Sequence, residues 1–108
     1  MPLYTLEKSS NPKKKYMITI ISKKTNRERT IHFGANGMSD YIIYNKTKGN
    51  EYANKKKELY INRHKSNEDF NDPESASFYA LNVLWNKPTL QASWNDTRAK
   101  LKSKAYIK

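Results

Sequence analysis

The sequence predicts an α+β fold: an N-terminal antiparallel β-hairpin, with room for a third strand, followed by two to three helices. Three observations predict it. As far as Asn45, β-branched and aromatic residues gather in short runs bounded by turn residues, as in "KYMITIIS" and "TIHFG". From Asn50 onward the apolar residues recur instead at steps of three and four. At 108 residues the chain can bury one modest core and suits one domain.

Taken in order, residues 1–14 lack a sustained period, contain Pro2, Pro12 and "SSNP", and read as a flexible arm before a domain over 15–104. Lys15–Ser22 reads as a strand, "KKTNRER" as a polar turn and Thr30–Gly34 as the return strand. "ANGMSD" is a loop by composition. "DYIIYN" (Asp40–Asn45) is the candidate third strand, and "KTKGN" breaks it. A helix follows from Asn50 to about Asn67, with Tyr52, Lys56, Leu59, Tyr60 and Arg63 near one face.

Asp72 is placed to cap the next helix, with Pro73 at its first position and Glu74 in its first turn. "PESASFYALNVLWN" is apolar on two sides, as a central core helix would be. Pro88 ends it. Thr89 can cap a last helix, on which Leu90, Trp94, Thr97 and Leu101 form a single stripe. Arg98, Lys100, Lys102 and Lys104 suit the negative end of that helix's dipole.

Composition narrows the function classes. Hydrophobic residues are only 36% of the chain, so the core must draw on eight Tyr, three Phe and two Trp. The absence of cysteine excludes disulfides and thiolate metal sites. No run approaches the roughly 18 apolar residues of a membrane span. "MPLYTLEKSS" has no apolar signal core, so neither a membrane partner nor secretion is expected.

The net charge of +11 is polarised. Lys13–Lys65 holds 14 basic and 4 acidic residues, whereas Ser66–Asp96 holds one basic and five acidic. Such a basic segment suits polyanions, nucleic acid first. The 17 Lys against 4 Arg, with 12 Asn, 8 Ile and 8 Tyr against one Val, are also the mark of an A/T-rich genome. Part of the lysine excess follows from that bias.

Three constellations carry chemistry. His32, His64 and Glu68 are the one set that could hold a metal or move a proton, since His64 and Glu68 stand four apart on a helix. Ordinary packing accounts for them better: a solvated pair and a half-buried strand residue. With no glycine-rich phosphate loop and no nucleophile elbow, the chain reads as a non-enzyme. No cofactor, metal or small-molecule substrate is expected.

The second set interleaves lysines with aromatics, among them Lys46 and Lys48 beside Tyr44. Its expected phosphate contacts are Lys13, Lys14, Lys15, Lys23, Lys24, Lys55, Lys56, Lys57 and Lys65, with Tyr16 and Tyr60 near them. Lysines contact phosphates without reading sequence, and aromatics stack on bases. Arginine, the usual reader of guanine, is scarce. Binding to nucleic acid, DNA first, should therefore be non-specific.

The third set is a structural polar joint of Asp40, Tyr41, Arg63, His64, Glu68 and Trp85. In it the planar fork of Arg63 would pair with a carboxylate or stack on Trp85. "LYINRHKSNEDF" (Leu59–Phe70) belongs to this joint more than to an active site.

"IHFG…SDYIIYNK", "LYINRHKSNEDF" and "DPESASFYALNVLWNKPTLQASWND" together resemble a family of small, uncharacterised basic proteins of large nucleocytoplasmic DNA viruses, mimivirus and algal-virus relatives, and of some phages. The resemblance covers about residues 16–97. It is carried by His32, Phe33, Gly34, Asp40, Tyr41, Tyr60, Ile61, Arg63, His64 and Glu68, then by Leu84 to Leu90. In that family a glycine precedes the two helix aromatics; here Ser77 precedes Phe78 and Tyr79, which puts close packing there in question. The resemblance implies a virion or viral-factory (host cytoplasm) location and transfers no activity. The rival to nucleic-acid binding is a minor capsid or scaffold protein whose lysines meet acidic viral structural proteins.

Overall fold

A computed structural model describes residues 3–22, 24–66, 68 and 70–103. Lys23, an expected phosphate contact, and Lys104, expected in the last helix, lie outside them. Three strands come first: β1 (Leu3–Lys8), β2 (Lys14–Ile21) and β3 (Glu28–Ala35). Then come α1 (Tyr41–Thr47), α2 (Asn50–His64), α3 (Ala76–Tyr79), a π-helical turn (Ala80–Leu84) and α4 (Leu90–Ser103). The α+β reading holds.

The third strand, however, comes from the expected arm. β1 pairs antiparallel with β2 from Leu3 opposite Ile21 to Lys8 opposite Tyr16, and the sheet order is β1-β2-β3. Tyr4 and Leu6 turn inward onto the core. "SSNPK" is a hairpin loop: Lys14 N–H donates to the Asn11 carbonyl at 3.0 Å, with Pro12 presetting the turn. Two inward residues make too short an alternation to tell an edge strand from irregular chain.

Conversely, "DYIIYN" is not a strand. Asp40 caps α1, its carboxylate accepting from Ile43 N–H at 3.0 Å. The β-branched pair Ile42–Ile43 favours extended chain locally, but the cap and the burial of Tyr41 override that weak preference. α1 and α2 then fold into a helical hairpin across Gly49.

α2 is more polar than its wheel suggests. Ala53 is the one residue of α2 that is buried, and Leu59, expected toward the core, is 53% exposed.

The core helix also starts later than expected. Ser75, not Asp72, caps α3, accepting from Phe78 N–H at 3.2 Å. Asp72 makes the preceding turn by accepting from Glu74 N–H. After one α turn the helix widens into the π turn, whose buried Asn82 is held from α4. Lys100 Nζ donates to Asn82 Oδ1 at 2.6 Å, and Thr97 Oγ1 donates to the Asn82 carbonyl at 2.9 Å. Asn86 Nδ2 donates to Asp96 at 2.7 Å and ties the following turn to α4.

The core lies between one face of the sheet and these last helices. Ile18, Ile20, Ile31 and Phe33 meet Phe78, Tyr79, Val83, Leu84, Trp94 and Leu101. The expected α4 stripe is in place, with Trp94, Thr97 and Leu101 buried and Leu90 packed at the margin. Among the described residues no helix is long and apolar enough to cross a membrane.

Gly34 marks where the sheet meets the π turn. Its φ is +78°, and a Cβ there would fall 2.6 Å from Leu84 Cδ1. Gly34→Ala should therefore lower stability by about 2 kcal/mol or more, from left-handed strain plus overpacking, as read by urea denaturation. A second expectation concerns acid. The hydrogen bond from Asn86, aided by Lys100, holds the Asp96 carboxyl below its ordinary value. A depressed folded-state pKa means that this stabilisation is present above the unfolded carboxylate range and fades as pH falls through it. Asp96→Asn should flatten that acid limb in denaturation curves measured across pH.

Candidate functional site, a basic cleft with an aromatic floor

Some residues of both expected sets line one feature. A cleft of about 510 Å³ opens between the β2 and β3 ends, the loop before α1, the C-terminal half of α2, and α3 with the π turn. Lys14, Lys15, Lys56 and Arg63 bring positive charge to it, Asp40 and Glu68 negative charge, and Tyr44, Tyr60 and Trp85 aromatic surface.

The two carboxylates each have a partner within the protein. Lys15 Nζ lies 2.6 Å from Asp40 Oδ2, and the two side chains are only 12% and 6% exposed. His64 Nδ1 lies 2.7 Å from Glu68 Oε2, and Ser77 Oγ donates to Glu68 Oε1 at 3.0 Å. The serine that departs from the resembled pattern therefore gives Glu68 a hydroxyl partner.

The aromatic floor is a stack. Tyr60 lies almost parallel to Trp85, 4.6 Å between ring centres and 13° between planes, with the His64 ring 4.5 Å away on Tyr60. Tyr44 approaches Trp85 at 6.2 Å. The residue on Trp85 is thus Tyr60, not the expected Arg63. Burial, reinforced by the charge of Glu68, pushes the Tyr60 phenol up to about 12, so it stays neutral at physiological pH.

Of the other expected joint residues, Asp40 and Tyr41 find partners outside the expected set. Asp40 holds both Lys15 and the head of α1. The Tyr41 hydroxyl donates to Asn54 Oδ1 at 2.8 Å, while Arg63 is exposed on the cleft wall.

The expected phosphate contacts divide into three groups. Lys14 and Lys56 face the cleft, with Lys56 Nζ 5.5 Å from the Tyr52 ring centre. Lys15 is engaged with Asp40, and Lys57 donates to the Asn86 carbonyl at 3.3 Å while lying over the Tyr41 ring. Lys13, Lys24, Lys55 and Lys65 are exposed. Of these, Lys13 follows Pro12 in the β1–β2 loop, beside the start of β2, whereas Lys24 lies in the β2–β3 turn at the opposite end of the strands.

The metal set does not form. His32 sits on the outer face of the sheet, opposite in alternation to the cleft-lining Phe33, with Nδ1 2.7 Å from Ser9 Oγ. No group of three metal-ligating side chains occurs among the described residues.

Sequence reasoning missed Met38 and Ser39 on the cleft wall, and Ser77 as a partner of Glu68. The two loop residues carry no periodicity that could have signalled them.

The Lys15–Asp40 bridge can be tested apart from the cap. Asp40→Asn keeps an N-cap acceptor yet leaves Lys15 buried without its counter-charge. It should cost about 3 kcal/mol or more, well above the ~1 kcal/mol of a lost cap. Urea denaturation of Asp40→Asn beside a Lys15→Met/Asp40→Asn double variant checks this, because the double variant should recover much of the loss.

No curated protein and no solved structure matches the chain significantly. Residues 4–64 match a family of unknown function, DUF5754. That stretch runs from β1 to the end of α2 and carries Lys14, Lys15, Asp40, Tyr44, Lys56, Tyr60, Arg63 and His64 of the cleft. It is more than half of the sequence, and the chain belongs to the DUF5754 family.

Proposed function

We propose that this is a small basic protein that binds nucleic acid without reading its sequence. The observation that carries the reading is the meeting of Lys14, Lys56 and Arg63 with Tyr44, Tyr60 and Trp85 in one cleft whose carboxylates already have internal partners. Cations there can neutralise phosphates, and neutral aromatic rings can take base faces. Lys13, Lys55 and Lys65 are exposed next in sequence to cleft residues, while Lys15 and Lys57 serve the fold. The resemblance to small basic proteins of large DNA viruses gives the reading its setting, a virion or viral factory.

A second reading, a capsid or scaffold module that binds acidic proteins, is favoured by the exposed apolar side chains Leu3, Met38 and Leu59.

A salt titration separates the two. Unrelated DNA and RNA sequences should bind with similar affinity, and log K should fall linearly with log salt. Lys14→Ala and Lys56→Ala should each reduce that slope by roughly one contact's worth. Absence of binding at about 50 mM salt, or affinity indifferent to salt, would sink the nucleic-acid reading and favour the protein-binding one.

A further inference from the structure

We infer that the polymer is single-stranded and lies along a continuous groove made of two clefts that meet at the Lys15–Asp40 bridge. This rests on the nucleic-acid reading and specifies its substrate. A second cleft of about 640 Å³ is lined by Lys8, Lys46, Tyr16, Ile43 and Leu90, among others. Lys14, Lys15, Asp40 and Leu84 line both clefts, so the two join there. Lys46, and Lys8, which sequence reasoning did not select, carry the positive charge past the bridge. Across the joined groove six basic side chains face two carboxylates, a net charge of +4 with histidine neutral.

Three features select a single strand. The cations sit on the walls of a concavity. A duplex is a stiff rod, with a persistence length of about 50 nm, and could not follow a groove in a molecule of 44 × 29 × 26 Å. A flexible strand can. As a ligand surface, the aromatic floor of the first cleft suits a base that has left its stack, which duplex DNA does not offer at its surface. Finally, Lys24 has the same charge but lies outside both clefts, at the far end of the β2–β3 hairpin. The groove therefore makes a positional claim that net charge alone does not.

The test is a fluorescence-anisotropy titration of a labelled oligothymidylate and of a duplex of equal length, at low salt. It uses the full chain beside Lys46→Glu and Lys24→Glu, two exposed substitutions with the same change in charge. The single strand should be preferred by about tenfold or more, the worth of stacking one base. Lys46→Glu should weaken single-strand binding several-fold more than Lys24→Glu and flatten the salt slope by about 0.7. Tryptophan emission should be quenched by the single strand and not by the duplex, with Trp85 on the groove and Trp94 buried elsewhere. Equal affinity for both polymers would overturn the single-strand inference and leave nucleic-acid binding standing. Equal effects of the two lysine reversals would overturn the groove. Binding to neither polymer would overturn both readings.

Discussion

On β2 a lysine turns inward beside the sheet, and at the head of α1 an aspartate waits for it; their charged atoms are 2.6 Å apart with little access to water. Asp40 is shared between two tasks, since its other oxygen caps α1. A buried pair of this kind contributes little net stability, because desolvation offsets most of the attraction. Its value is positional. Neither charge tolerates being left alone, so the α1–α2 hairpin has one acceptable docking on the sheet. The two residues of the bridge line both clefts.

The hairpin needs such a constraint because it has so little core of its own. α2 buries only Ala53, and what joins the hairpin to the rest is polar or aromatic. Lys57 reaches the Asn86 carbonyl, and Tyr60 stacks on Trp85. The Trp85–Asn86 corner that receives both contacts follows the π turn, where Thr97 and Lys100 of α4 hold Asn82 in place. The position of the aromatic floor is thus set by the last helix through a helical irregularity. Stiffness beneath the floor and polarity around it come from different parts of the chain.

Several errors of reading share one cause. The arm that proved to be β1 and the strand that proved to be α1 are both short segments with weak local preference. In each, packing overrode the local signal: pairing with β2 for Tyr4 and Leu6, and burial of Tyr41 behind the Asp40 cap for α1. Asp72 lost the cap to Ser75 for a related reason, because residues 72–75 first close a turn of their own. Leu59 misled because α2 has almost no buried face, so a helical wheel had nothing to orient against.

By itself, the sequence determined the α+β class, the β2–β3 hairpin and the α4 stripe. Each depends on spacing along the chain, where pleat and helix periods act directly. Only the tertiary structure decided which lysines serve the fold and which face a groove. Fifty-three residues of chain, Lys13–Lys65, contain 14 basic side chains with the same formal charge. A lysine's role depends on whether a carboxylate, a carbonyl or open water lies at the end of its long, flexible stem. For Lys15, Lys57 and Lys14 the answers are Asp40, Asn86 and the cleft.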